Sequence, residues 1–224
     1  MDVLEIMAAE QGIRSKAPSV PMFYKSANRG INYFDVAPSY GDAEELLGAA
    51  LKPYRDRVFL ACKTQERRKE GAEAELHRSL ERLRTDHFDL YQFHAVKSMA
   101  EVEAIAGPGG ALEAFTQARE QGLIRYVGFS AHSERAALAL LDRFAFDSIL
   151  YPVNWGCWYG GNFGPEVVAK AQEQGIGILA LKALARQQRH QQGLRRGVDA
   201  HEAPAAHRVR FETARQGQRA LPVR

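Results

Sequence analysis

Four residues in the first half of the sequence have the chemistry of an acid–base unit: Asp35, Tyr40, Lys63 and His94. A buried Lys63 needs a counter-charge, which Asp35 at the end of the preceding apolar run can supply. A phenol has an ordinary pKa of about 10, but a nearby ammonium stabilises the phenolate and lowers that pKa. His94 can donate or accept a hydrogen bond at the same place. Together these side chains suit protonation of a carbonyl oxygen as hydride arrives at its carbon.

The elements that must position these residues follow a regular pattern from about residue 22 to residue 184, where apolar strands alternate with amphipathic helices. The predicted strands cover residues 31–37, 58–64, 88–95, 124–131, 147–155 and 176–184. The predicted helices cover residues 43–51, 72–83, 111–122, 133–144 and 165–175. Strict alternation predicts parallel strands joined by right-handed crossovers, and near-continuous apolar strands predict a sheet that is buried on both faces.

Two architectures fit this alternation, a doubly wound open sheet and a (β/α)8 barrel. No G-x-G-x-x-G turn follows any predicted strand, which weakens the dinucleotide-binding form of the doubly wound sheet. One polar residue lies near the carboxyl end of each of five successive strands: Asp35, Lys63, His94, Ser130 and Asn154. In a parallel barrel these ends converge on one mouth, where active sites of this architecture lie. This placement favours the barrel.

Composition and charge argue against several functional classes. Hydrophobic residues make up 46% of the chain, and a net charge of +3 gives no reason to expect a nucleic-acid partner. The spacing of the two cysteines, Cys62 and Cys157, suggests neither a metal site nor a disulfide framework. No apolar stretch reaches the roughly 18 residues of a membrane span, and the first residues are too polar for a signal peptide. We therefore expect a soluble cytoplasmic protein without a metal, and its oligomeric state stays open.

The segments around the four acid–base residues resemble the aldo-keto reductase family. The resemblance covers roughly residues 25–184 and is carried by GINYFDVAPSYGDAEELLGAAL, VFLACKT, FDLYQFHAV and GLIRYVGFSAHS. It implies a (β/α)8 barrel that reduces small aldehydes and ketones with NADPH or NADH. The family motif D-x-A-x-x-Y-G matches Asp35 and Tyr40, and the catalytic lysine and histidine that end the next two strands match Lys63 and His94.

The resemblance also implies a cofactor site, with some departures from the family pattern. Ser130 matches the serine of a Ser-Asn pair that contacts the nicotinamide carboxamide, and Asn154 matches a later asparagine. Ala131 replaces the asparagine of that pair, and Leu150 stands where the family usually has a glutamine. We expect Ser130 and Asn154 to bind the cofactor. The basic cluster RRK at residues 67–69 is expected to be solvated charge.

The two ends of the chain depart from the family. No first barrel strand is recognisable before Tyr24, and residues 186–224 hold nine arginines and three acidic residues without helical or strand periodicity. We therefore expect an incomplete barrel of about six strand–helix units in residues 1–185, followed by an unstructured basic tail at residues 186–224.

Three functions stay open at this point. The first is NAD(P)H-dependent reduction of a small carbonyl substrate. The second is a catalytically inactive barrel fragment that senses cofactor or acts as a scaffold. It is favoured because the family's last strand and helix, which carry the segment that clasps the adenosine of the cofactor, are not recognisable after Leu184. The third is an isomerase or lyase on a generic barrel, and it is weakened because no Gly-rich phosphate loop lies late in the barrel region.

Overall fold

The computed structural model describes residues 26–161 and 163–183. The predictions of an unrecognisable first strand, of a domain boundary at residue 185 and of an unstructured basic tail all concern residues outside these ranges. Within them, strands and helices alternate along the chain.

Six parallel strands form one sheet in which each strand pairs with the next along the chain. They are β1 (Tyr33–Asp35), β2 (Phe59–Thr64), β3 (Phe88–Val96), β4 (Ile124–Ala131), β5 (Ser148–Pro152) and β6 (Gly177–Leu181). The rings of Phe59 and Tyr126 stack with centroids 6.2 Å apart, although they lie on β2 and β4. Strands two apart in a flat sheet are separated by roughly 9.6 Å, so the sheet curls inward. The predicted (β/α) barrel type with six strands is thus confirmed, as a partial barrel.

Six α-helices that lie wholly within the described residues cover the outer face of the curled sheet. They are α1 (Ala43–Leu51), α2 (Lys69–Leu83), α3 (Met99–Ala106), α4 (Ala111–Glu120), α5 (Glu134–Arg143) and α6 (Pro165–Glu173). A 3₁₀ turn spans Arg55–Arg57, and one turn of π-helix spans Gly156–Gly160 after β5.

Helix α3 is the one that the periodicity did not predict. Only Val102 and Ile105 of its eight residues are buried, so the face that meets the core is little more than one turn long and gives a weak helical period. A capping box begins it instead, because Ser98 accepts from the Glu101 N–H while the Glu101 carboxylate accepts from the Ser98 N–H. The Ser-x-x-Glu spacing was the available signal.

The apolar core has two layers because side chains alternate across each strand. The larger layer lies between the sheet and the helices, and the smaller one fills the barrel interior with Tyr33, Ala61, Leu90, Leu150, Leu179 and Leu181. Asp35 and Lys63 follow Tyr33 and Ala61 by two residues, and they therefore face the same interior, one step nearer the carboxyl-terminal mouth. No helix within the described ranges has the length and apolar character needed to span a membrane.

Candidate active site

A buried ion pair lies at the mouth of the barrel. Lys63 Nζ donates a hydrogen bond to Asp35 Oδ1, and the two side chains are only 1% and 4% exposed. Burial acts to lower the pKa of Lys63, but the Asp35 carboxylate and the Tyr40 phenol outweigh it, so the pKa lies above its ordinary value. The structure thus brings Asp35 and Lys63 together on neighbouring strands, with Lys63 a cation at neutral pH.

Tyr40 lies in the loop between β1 and α1, close to this pair. Its N–H donates to the Ala37 carbonyl oxygen at 3.0 Å, which closes a tight turn and explains why the motif places the phenol five residues after Asp35. Gly41 follows with a φ of +65°, a conformation that suits glycine. Lys63 Nζ lies 5.2 Å from the centroid of the Tyr40 ring. The turn therefore brings the phenol back over the buried cation.

His94 also packs against the Tyr40 ring. The two rings meet edge to face, with centroids 5.7 Å apart and planes at 88°. His94 is 8% exposed, and Ser39 Oγ lies 3.4 Å from its Nδ1. Burial and, to a smaller extent, four neighbouring basic side chains together lower the pKa of His94 to about 4; these side chains are Lys63, Arg67, His132 and Lys97. The imidazole is therefore neutral at pH 7, with one nitrogen able to donate and the other able to accept.

Comparison with known proteins decides the family. The profile described as "Aldo/keto reductase family" matches residues 12–214 of this chain. The chain belongs to the aldo/keto reductase family. The matched range extends beyond residue 185, where the sequence pattern places the end of the barrel domain.

Individual members of the aldo/keto reductase family resemble the chain over most of its length. A methylglyoxal reductase of Escherichia coli (strain K12) is 30% identical over 191 residues, which cover 80% of this chain and 62% of that protein. The holo form of an aldo-keto reductase from Bacillus halodurans is 26% identical with a TM-score of 0.63, covering 80% of this chain and 61% of that chain. An aldo-keto reductase from Klebsiella pneumoniae in complex with NADPH is 24% identical with a TM-score of 0.62, covering 75% and 58%.

The chain is shorter than these family members. The matched segment covers 62% of the length of the methylglyoxal reductase, and the matched segments in two other curated relatives cover 36% and 37% of their lengths.

The two residues that the family resemblance assigns to the cofactor lie in different settings. The Ser130 hydroxyl is buried near the end of β4, where its oxygen accepts from the Ala95 N–H at 2.7 Å. Asn154 lies two residues beyond the end of β5, so the prediction that this strand runs to residue 155 is wrong. The Asn154 Oδ1 accepts from the Cys157 N–H at 2.9 Å and caps the π-helical turn.

These hydrogen bonds limit how an aldo/keto reductase cofactor could be held. A hydroxyl that accepts one bond still has its own O–H to donate, so Ser130 suits a carboxamide oxygen. The Asn154 Oδ1 has accepted one hydrogen bond, and the amide nitrogen of the same side chain can donate to a carboxamide oxygen. The donor set therefore fits a nicotinamide carboxamide, and the assignment of both residues to the cofactor stays a prediction.

Two further residues brace the site, and the sequence did not indicate them. Arg67 is 16% exposed and donates to the His94 carbonyl oxygen at 2.6 Å, so the interpretation of RRK as solvated charge is wrong for this residue. Glu75 on α2 is buried and accepts from Thr64 Oγ1 at 2.5 Å and from the Gln65 N–H at 2.9 Å. Both bonds fix the end of β2 directly after Lys63. In sequence, each looks like an ordinary charged residue of a surface helix or loop.

Proposed function

We propose that this chain is an NAD(P)H-dependent reductase of small aldehydes or ketones in which Tyr40 donates the proton. The observation that carries the proposal is the position of the Tyr40 ring, which lies close to both a buried Lys63 cation and a neutral His94. The proton-donating role of Tyr40 rests on this geometry and on the family motif.

Lys63 supports the loss of a proton from Tyr40. The negative charge that remains on the phenol after proton transfer is stabilised by the ammonium 5.2 Å from the ring centroid. The Asp35 carboxylate holds that ammonium and offsets the cost of burying its charge. The pair thus favours the product side of the proton transfer without itself giving up a proton.

His94 acts on the substrate oxygen. Since its pKa of about 4 keeps the imidazole neutral, it offers a hydrogen bond to the carbonyl oxygen from one ring nitrogen. Such a donor polarises the carbonyl and fixes its orientation toward the Tyr40 hydroxyl. A neutral His94 also leaves Tyr40 as the group that delivers the proton.

The cofactor that the family implies is NADPH or NADH, and when bound its nicotinamide supplies hydride to the carbonyl carbon. Ser130 would donate its O–H to the carboxamide, and Asn154 would contact it through the amide nitrogen. Support comes from the Klebsiella pneumoniae relative, which is in complex with NADPH, and from the Escherichia coli relative named a methylglyoxal reductase. These names also support a small carbonyl compound as substrate.

Two measurements on the purified chain test this proposal. We expect NADPH to quench the intrinsic fluorescence, and methylglyoxal to drive NADPH oxidation in the same sample. Circular dichroism on that sample shows that it is folded. If a folded sample shows no quenching at millimolar NADPH, the reductase proposal fails and the inactive scaffold is the better account. Binding without oxidation of NADPH across a panel of aldehydes and ketones would instead favour a cofactor sensor.

A further inference from the structure

Strand β3 contains one extra residue directly after His94. Phe93 pairs with Phe129 and Val96 pairs with Ala131, so three steps along β3 match two steps along β4. This irregularity is a β-bulge, and bulges re-aim the side chains beside them. Ala95 within the bulge has a φ of +53°, in the left-handed region that disfavours residues with a Cβ. Such a conformation persists only where the surrounding structure holds it in place.

Two side chains hold the peptide bond between His94 and Ala95 at its two polar atoms. Arg67 Nη2 donates to the His94 carbonyl oxygen at 2.6 Å. The Ala95 N–H donates to Ser130 Oγ at 2.7 Å. Because Arg67 follows β2 and Ser130 lies on β4, the bulge is fixed from both neighbouring strands.

The Arg67 guanidinium is itself anchored on two further groups. Nη1 lies 3.4 Å from the carbonyl oxygen of Thr64, the residue that follows Lys63. Nε and Nη2 donate to Glu101 Oε1 at 3.2 and 3.0 Å. One planar side chain therefore joins the backbone beside Lys63 to the backbone of His94, which a single ammonium group could not do with the same geometry.

We infer that Arg67 and Ser130 are positioning residues that hold the bulge after His94 and thereby set the His94 ring against Tyr40. The catalytic consequence rests on the proposed function, since His94 must act on a substrate for its orientation to matter. The geometric part of the inference is that Arg67 and Ser130 fix the bulge and the orientation of the His94 ring. This part can be measured without turnover.

The geometric part is tested by NMR on the full chain. In Arg67→Met and in Ser130→Ala we expect the Ala95 amide to exchange with solvent at least about tenfold faster, because one hold on the bulge is lost. The ring signals of His94 should move in both variants. Arg67→Lys keeps the charge but not the fork, and its effect should be intermediate. The matched control is Arg143→Met, which removes an arginine that pairs with Glu103 on the outer helices.

The catalytic part is tested by steady-state kinetics with NADPH and methylglyoxal. We expect Arg67→Met to lower kcat about tenfold or more through misplacement of His94, while the Kd of NADPH changes by less than about twofold. Arg143→Met should match the wild type in both quantities.

The outcomes separate this inference from the proposed function. A folded wild type that oxidises no NADPH contradicts the proposed function, while the NMR result still decides the positioning role. Unchanged Ala95 exchange and unchanged His94 ring signals in folded Arg67→Met overturn the inference. If Arg67→Met does not fold, Arg67→Lys decides in its place, and wild-type behaviour of that variant overturns the inference.

Discussion

At the level of single residues, the site separates the protonation states of two basic groups that lie beside the same phenol. The carboxylate of Asp35 keeps Lys63 charged, whereas burial and neighbouring cations keep His94 neutral. Groups whose surroundings push their pKa values apart mark the division of roles in acid–base sites. In the function that we propose, this environment gives electrostatic support to Lys63 and hydrogen bonding to His94, and Tyr40 delivers the proton.

The first prediction concerns the stability provided by the buried Asp35–Lys63 pair. Lys63→Met leaves the Asp35 carboxylate buried without its cation, so we expect the free energy of unfolding to fall by about 3–5 kcal/mol. The double variant Lys63→Met/Asp35→Leu should recover most of that loss, because it removes the unpaired charge, but it should not recover activity. Urea unfolding of the three proteins measures this. Equal stability of the single and double variants would contradict the account.

The second prediction concerns how the neutral His94 makes the free energy of unfolding depend on pH. Its folded-state pKa of about 4 lies below the ordinary 6.5, so the unfolded state binds more protons between these values. The free energy of unfolding should therefore fall as the pH falls through this window, by about 2 kcal/mol between pH 7 and pH 5 from this residue. Urea unfolding of wild type and His94→Gln at both pH values isolates the contribution. The same pH dependence in both proteins would refute it.

That Asp35, Tyr40, Lys63 and His94 lie close together could be predicted, because their types and their order at strand ends carry a chemical pattern. Their catalytic roles stay a prediction. The bulge at Ala95 could not be predicted, since alanine gives no signal for a left-handed conformation. Arg67 was missed for a related reason. A run of basic residues is usually solvated, and only the positions of the His94 and Thr64 carbonyl groups show that this guanidinium is engaged.

At the level of elements, a turn and a bulge place two of the site residues. The turn at Ala37–Tyr40 returns the phenol to the mouth, and the bulge in β3 sets His94. Helix α3 was predictable in principle from its Ser98–Glu101 capping box, whereas periodicity alone is too weak for so short an element.

The third prediction concerns the close contact between α1 and α2 at Gly48. A Cβ on Gly48 would lie 2.3 Å from the Arg82 carbonyl oxygen and 2.7 Å from the Leu83 Cα, which are backbone atoms that cannot turn aside. Gly48→Ala should therefore destabilise the protein by about 1–3 kcal/mol, against the usual gain from alanine in a helix. Ala49→Ser on the exposed side of α1 is the control, with an expected change within about 0.5 kcal/mol. Thermal unfolding that finds Gly48→Ala as stable as wild type would contradict this packing.

At the level of the whole molecule, the parallel sheet makes the site possible because it brings the carboxyl ends of β1, β2 and β3 to one mouth. This much could be predicted from the sequence, since strict alternation of strands and helices leaves few topologies. The domain boundary at residue 185 stays a prediction. The family profile continues to residue 214, through a segment whose composition has no strand or helix period.

The fourth prediction is that cofactor binding stabilises the whole folded chain. A ligand that binds only the folded state should raise the free energy of unfolding by about 2.7 kcal/mol at a hundred times its Kd. Thermal unfolding with increasing NADPH should show a rising midpoint, and adenosine at the same concentrations serves as the control. A midpoint that does not respond to NADPH would contradict a folded-state cofactor site.

The central claim is that the Tyr40 hydroxyl delivers the proton, and a single-turnover measurement of NADPH oxidation by methylglyoxal in wild type and Tyr40→Phe tests it most directly. Phenylalanine keeps the ring that contacts Lys63 and His94 and removes only the hydroxyl. We predict that the rate falls by at least about a hundredfold while the Kd of NADPH stays within about twofold. A Tyr40→Phe rate within about threefold of the wild type would contradict the account.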